Sequence, residues 1–255
     1  MLAGMSPRFA GIAAIAGLAV ALTGCAAALS TTTINNPIPA STSLQLTGTT
    51  LKSALLPLSV FPSGYEIDTQ ETSDTGSTLL SGSTSPTHPR QSCQQLVQAA
   101  KTPSAGLTAG VFEILYDASM DHPSSYHQRR YGQSVFQFAT TSGSTGYFDS
   151  VRATFSRCSS VTTKNGATTS VIRQTVSPAS PVAGHEALLV RQTTTVNGVN
   201  GDSVMLFTIA GKDVYGVGST VFGVPLTAQP SSLGALMARL IARVHAVQCA
   251  LTCAS

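Results

Sequence analysis

Apolar and polar positions along this 255-residue chain fall into blocks of different period, and each period predicts an element. Phe9 to Leu22 is an unbroken run of 14 apolar and small residues, preceded by a single charge at Arg8. That is too short to span a bilayer, which takes ~20 helical residues. From 26 to about 50 the apolar order disappears. "STTTINNPIPASTSLQLTGTT" is rich in Ser, Thr, Asn and Pro and reads as a flexible tether, its one alternative being an edge strand at Leu44 to Leu46. "LKSALLPLSVFPSGYEID" then restores apolar mass through Leu55, Leu56, Leu58, Val60 and Phe61, while Pro57 and Pro62 forbid a long helix. A polar loop covers 69–92, a length that in compact domains accompanies function or mobility.

Beyond it the periods alternate. "CQQLVQAAK" (93–101) is a short helix with Leu96, Val97 and Ala100 on one side. "VFEILYDAS" (111–119) and "SVFQFATT" (134–141) are strands. "STGYFDSVRATFSRC" (144–158) returns to a helical period, with Tyr147, Phe148, Val151 and Phe155 on one face and Ser144 as N-cap. Strands follow at 169–177, 186–196, 202–210 and 213–223, with turns at Asn165-Gly166, Asn200-Gly201 and Gly211-Lys212. Leu233, Leu236, Met237, Leu240, Ile241 and Val244 then mark an amphipathic helix capped by Ser231 or Ser232. With only Arg239 and Arg243 off its stripe, it is a packing helix rather than one for a lipid surface. Helices segregated mainly on one face of an antiparallel sheet make an α+β domain, expected over 51–248 with a cysteine-containing tail at 249–255.

The N-terminal run now gains meaning. A basic start, a short apolar stretch and a small-residue cleavage site describe a secretory signal over 1–24. Leu22-Thr23-Gly24-Cys25 resembles the bacterial lipobox, so Cys25 is expected to be acylated. It would then hold the chain at the extracytoplasmic face of the cell membrane, with 25–50 as lipidated residue and tether. Export brings an oxidising compartment, in which the four remaining cysteines, Cys93, Cys158, Cys249 and Cys253, are expected as two disulfides with three possible connectivities. No Cys-x-x-Cys occurs, and His245 is the only histidine near the last two cysteines, so a zinc site is not expected.

Composition narrows the function classes. Charged residues are 10 %, hydrophobic ones 42 %, and Trp is absent. This describes an ordered, sparsely charged domain rather than a disordered one. The net charge of +3, or +2 once Arg8 is set aside, gives no footprint for nucleic acid.

Signatures of catalysis are missing. Asp74-Thr75-Gly76 matches the aspartic-protease triplet, but that chemistry needs two aspartates, and the triplet occurs once within a polar loop. Gly-x-Ser-x-Gly, Ser-x-x-Lys, His-Glu-x-x-His, P-loop and dinucleotide fingerprints do not occur, and "GVGST" (216–220) is only half a glycine fingerprint. Glu186, after His185, reads as a strand-edge pair rather than an acid/base dyad. The one polar cluster is "DHPSSYHQRRYGQ" (121–133), with His122 and Tyr126 at its start. His127, Arg129, Arg130 and Tyr131 are its candidate ligand-binding residues, since guanidinium forks bind carboxylate or phosphate. Its alternative is a solvated loop between strands. Metal and cofactor are not expected. The reading is a non-catalytic binding or sensor-like domain for a small ligand or envelope protein, with an envelope hydrolase assembled from distant residues as the alternative.

The order of elements resembles a family. A cysteine opens a helix ("CQQLVQAA"), "VFQFATT" leads into a helix ending aromatic-x-x-Cys ("FDSVRATFSRC"), a meander follows, and "LGALMARLIARV" closes the domain. This is similar to the extracellular sensor domain of the mycobacterial kinase PknH and to actinobacterial lipoproteins carrying that domain, over roughly Leu51 to Val247. The resemblance implies a Cys93–Cys158 disulfide. The family's usual Trp is Phe155 here, and its second disulfide lies among strands where this chain has no cysteine. Cys249 and Cys253 are left to pair in the tail. Residues four apart in a helix have Cβ atoms ~5–6 Å apart, whereas a disulfide wants ~3.8 Å, so that pair requires the helix to end before Cys249.

Overall fold

The computed structural model describes residues 45–82, 92–93, 95–97, 103, 105–120, 127–165, 168–196, 198–226 and 230–253. The signal, Cys25, most of the tether, His122 and Tyr126 lie outside the described residues.

The chain opens with helix α1 (Gly48–Ser53) and a 3-10 turn at Leu58–Val60, then strands β1 (Tyr65–Ile67) and β2 (Ser73–Asp74). Helical residues at Cys93 and 95–97 precede β3 (Leu107–Asp117), β4 (Gln128–Phe138) and helix α2 (Thr141–Arg157). Strands β5 (Ser160–Asn165), β6 (Thr168–Val182), β7 (His185–Val196), β8 (Val199–Ala210) and β9 (Asp213–Phe222) lead to helix α3 (Pro230–Cys253). The strands form one sheet in the order β1-β3-β4-β9-β8-β7-β6-β5, with β2 beside β3. Every pair is antiparallel. After β4 the chain crosses to the far edge through α2, and the meander from β5 walks back until β9 closes against β4.

Period-two alternation gives the sheet two apolar faces. On one, Val111, Leu115, Val135, Val204, Leu206, Tyr215 and Val217 pack under α1 and under the Leu233, Met237, Leu240, Ile241 and Val244 stripe of α3. On the other, Phe136, Phe138, Leu188, Val190 and Val214 pack under Tyr147, Phe148, Val151 and Phe155 of α2, with Val97 beside them. The α+β class and the disulfide between Cys93 and Cys158 are as expected. Helices, however, cover both faces rather than mainly one, because strands from Leu107 to Ala210 carry apolar residues at both parities. Among the described residues α3 is the one helix long and apolar enough, by length and composition, to cross a membrane; its apolar stripe is buried in the core.

Several boundaries shift for local reasons. Leu46 and Gly48, in the stretch expected to be tether, are buried. The Leu46 N–H donates to Gln137 Oε1 (2.7 Å), so side chains of β4 hold this segment, and its fold begins before residue 51. The α2 cap is Thr140, whose hydroxyl accepts from the Gly143 N–H (3.1 Å). Ser144 instead donates to the Gly211 carbonyl (2.7 Å), pinning the helix to the β8–β9 turn. α3 starts at Pro230, a residue suited to a first turn because it needs no amide partner there. Strand β5 carries little apolar weight and sits at the sheet edge, which is why its pattern is faint. β6 runs on through Pro178 and Pro181 beyond the reach of β5, where prolines on an open edge block further pairing.

The turn expected at Asn200-Gly201 lies three residues earlier, where Gly198 has φ +84°. Gly201 is inside β8, and a Cβ there would meet the Phe222 ring at 2.3 Å and the Val221 carbonyl at 2.9 Å. Gly201→Ala is therefore expected to lower stability by roughly 1–3 kcal/mol, the cost of overpacking, measured as a shift in the urea midpoint at unchanged m-value.

Candidate functional site

α2 covers only the end of its face nearest Phe138 and Val214. Among the described residues, the part of that face left by α2 and the Val97 segment is an open trough of about 770 Å³ across β3, β4, β9, β8 and β7. Strand register explains the hollow. Gly132 of β4 lies opposite Gly218 of β9, and Ser134 opposite Gly216, so neighbouring strands present almost no side chain on one patch of sheet. Larger residues rise around it: Ile114 beside Gly132, Phe112 beside Ser134, Met205 beside Gly218, and Phe207 beside Gly216. Phe112 is 37 % exposed, unusual for a phenylalanine in a central stretch of strand.

The trough is close to neutral. Its charged lining residues are Glu71, Asp74 and Arg130, and each is already paired. Arg130 Nη1 meets Glu71 Oε2 at 2.9 Å and Asp68 Oδ2 at 3.9 Å, and Asp74 meets Lys52 at 3.4 Å. Ser134, Ser203, Thr220 and Gln192 are among its uncharged polar lining residues. Ser203 and Thr220 share a hydrogen bond of 2.9 Å, and Gln192 donates to Gln174 (2.6 Å). Among the described residues no hydrogen bond joins these hydroxyls to an imidazole or carboxylate. Such a surface can hold an uncharged, mostly apolar molecule and orient it through hydroxyl and amide groups.

The four candidate residues of the polar cluster do not converge. His127 is exposed just before β4. The next three lie within β4 rather than in a loop, and alternation sends Arg130 to the trough face and Arg129 and Tyr131 to the other. Arg130 spends its guanidinium on the wall carboxylates, although its Nε is buried without a partner. Tyr131 packs between Phe61 (5.5 Å) and Tyr65 (5.3 Å). Burial, the largest cause, with Tyr131 and Asp117 adding to it, pushes the Tyr65 hydroxyl up to about 12. The glycines that floor the trough were not read from the sequence as a binding site, yet they left a signal. "YGQS" in β4 and "GVGST" in β9 place small residues at period two, which is half of a sheet face without side chains rather than half of a nucleotide motif.

Asp74 belongs to β2, and its Oδ1 accepts from the Gly76 N–H (2.8 Å) in a tight turn. Glu186 pairs with Arg152 of α2. Cys249 and Cys253, expected as a disulfide, are free and exposed because α3 continues through both. Among the described residues no three His, Cys, Asp or Glu side chains gather as a metal site.

Two buried carboxylates sit on the opposite face from the trough. Glu113 receives the Gln133 Nε2 donor (2.7 Å). Asp213 is held by Gln248 Nε2 (3.2 Å), the Tyr215 hydroxyl (3.3 Å) and the Gln137 side chain, with His245 near enough to favour its charge. Desolvation, the largest cause at each, raises both pKa values from their ordinary ones. A carboxyl whose pKa is raised by folding binds its proton more tightly folded than unfolded, so stability falls as pH rises through that window. In Asp213→Asn an amide oxygen at the Oδ2 position keeps the bonds from Gln248 and Tyr215 and carries no charge. The variant is expected to lose less stability than wild type as pH rises from 4 to 7, as read by thermal midpoints across that range.

Against known proteins, no family model matches the chain and no curated protein matches it. Among solved structures it is similar to the extracellular domain of PknH from Mycobacterium tuberculosis, at 16 % identity and a TM-score of 0.54, covering 80 % of this chain and 99 % of that one. A second match is an uncharacterized protein from Mycobacterium smegmatis, at 10 % identity and a TM-score of 0.36, covering 76 % of this chain and 95 % of that one. The first match extends over nearly the whole of the other domain, and on it the fold of this chain is that of the PknH extracellular domain.

Proposed function

We propose that the chain is a non-catalytic, extracytoplasmic binding or sensor-like domain, lipid-anchored at Cys25, that takes a small, uncharged and largely apolar envelope molecule in the trough. The observation that carries this reading is the glycine-floored hollow at Gly132, Gly216 and Gly218. A sheet face that served only stability would be filled or covered. The extracellular origin of the PknH domain supports the compartment, as do the signal-like N-terminus and the Cys93–Cys158 disulfide.

A filled trough tests the site. A Cβ on Gly132 would meet the end of the Ile114 side chain at 3.3 Å, a contact that side chain can relieve by turning. Gly132→Leu then raises its branches into the hollow. With the neutral dye Nile red as probe, wild type is expected to bind one equivalent, and the variant to bind at least ~10-fold more weakly, a loss of about 1.4 kcal/mol. Equal binding by both proteins would remove the trough as the site.

A further inference from the structure

The last turn of α3 carries two thiols that neither the fold nor the trough uses. The buried stripe of the helix ends at Gln248. Cys249 and Cys253 follow on the exposed side, with no disulfide between them. Between them, Thr252 donates its hydroxyl to the Gln248 carbonyl (3.0 Å) and to that of Cys249 (2.9 Å), tying this turn into the helix. Helical residues four apart have Cβ atoms ~5–6 Å apart, while a disulfide needs ~3.8 Å. Closing the bridge means unwinding the turn that Thr252 holds.

The same span suits a bridging ion. Metal–sulfur bonds of ~2.3 Å place two sulfurs up to ~4.6 Å apart when the ion lies on the line between them. Side chains on adjacent turns reach that separation without disturbing the backbone. We propose that Cys249 and Cys253 form a two-thiolate site for one soft monovalent cation of the Cu(I) type. Thiolate selects soft ions over Mg²⁺ and Ca²⁺, and two ligands leave the tetrahedral demand of Zn²⁺ half met. His245 lies on the same stripe one turn earlier, but eight residues put it ~12 Å along the axis from Cys253, too far to share the ion. Binding is a proton exchange without redox change: two thiols and one Cu⁺ give a dithiolate–copper(I) unit of charge −1 and two released protons.

The test uses the full chain, reduced and under anaerobic conditions, with Cu(I) presented as its coloured bicinchoninate complex. Wild type is expected to withdraw one equivalent that neither Cys249→Ser nor Cys253→Ser withdraws, while His245→Ala behaves as wild type. Circular dichroism confirms that the variants, changed at exposed positions, remain folded. Three results would overturn the proposal. These are no withdrawal by wild type, retention by Cys253→Ser with loss in His245→Ala, or a Cys249–Cys253 disulfide in protein taken directly from its cell envelope.

Discussion

Replacing Cys93 and Cys158 together by alanine is expected to lower the unfolding free energy by about 4 kcal/mol. The bridge joins residues 65 apart, and loop closure in the unfolded chain contributes ~3 kcal/mol for a 15-residue loop and ~4.7 for a 100-residue one. Against a total stability of roughly 5–15 kcal/mol for a domain, this loss decides whether the chain stays folded on warming. The bond also fixes local packing. Cys158 is buried at the C-cap of α2, and its carbonyl accepts from Gln174 Nε2 (2.6 Å). Through it the helical residues around Val97 are fastened onto the α2 face. Urea unfolding of wild type and the double variant measures the difference. A change below about 1 kcal/mol would mean that the Cys93 segment is held by its apolar contacts rather than by the bond.

The second large effect is expected at Gln133. This side chain, 1 % exposed, donates to the Leu56 carbonyl (3.0 Å) and to Glu113 Oε1 (2.7 Å), and its own Oε1 accepts from the Leu56 N–H (2.9 Å). It thus replaces a missing strand, satisfying both backbone groups of a residue that crosses the sheet face without pairing. Gln133→Leu keeps the volume and removes all three bonds, leaving the Leu56 amide and carbonyl without partners in the core. At ~1–3 kcal/mol for each orphaned group, a loss of about 3 kcal/mol is expected after partial relief by entering water. Hydrogen exchange adds a local readout, since the Leu56 amide should lose protection by more than amides in β8. Equal loss at both places would show that Gln133 acts on the whole sheet rather than on this segment.

The pattern of the chain carried the helices well because their faces are one-sided. Tyr147, Phe148, Val151 and Phe155 lie where their spacing puts them, as does the stripe from Leu233 to Val244. The strands were legible as strands but not as a two-faced sheet. "SVMLFTIA" is apolar at both parities, and only the presence of helices on each side explains why. Gln133 and Gln137 look like outward positions of an alternating strand, yet both point into the core to serve the backbone of Leu56 and Leu46. A polar residue that satisfies a buried main chain has no periodic signature. The trough was missed for the opposite reason: a site made by absent side chains leaves glycines, and glycines in strands are commonly read as turns or motifs. Gly201 shows the ambiguity, since Asn-Gly at 200–201 is the strongest short-range turn signal, but the Phe222 ring claims the space over it.

The central claim, that this domain carries a small apolar molecule, is tested most directly by native mass spectrometry of the protein purified from its own cell envelope, compared with its denatured mass. The account predicts a discrete, uncharged adduct that is lost on denaturation. Protein that arrives empty from the envelope, and takes up no component of a total lipid extract of that envelope, would contradict it.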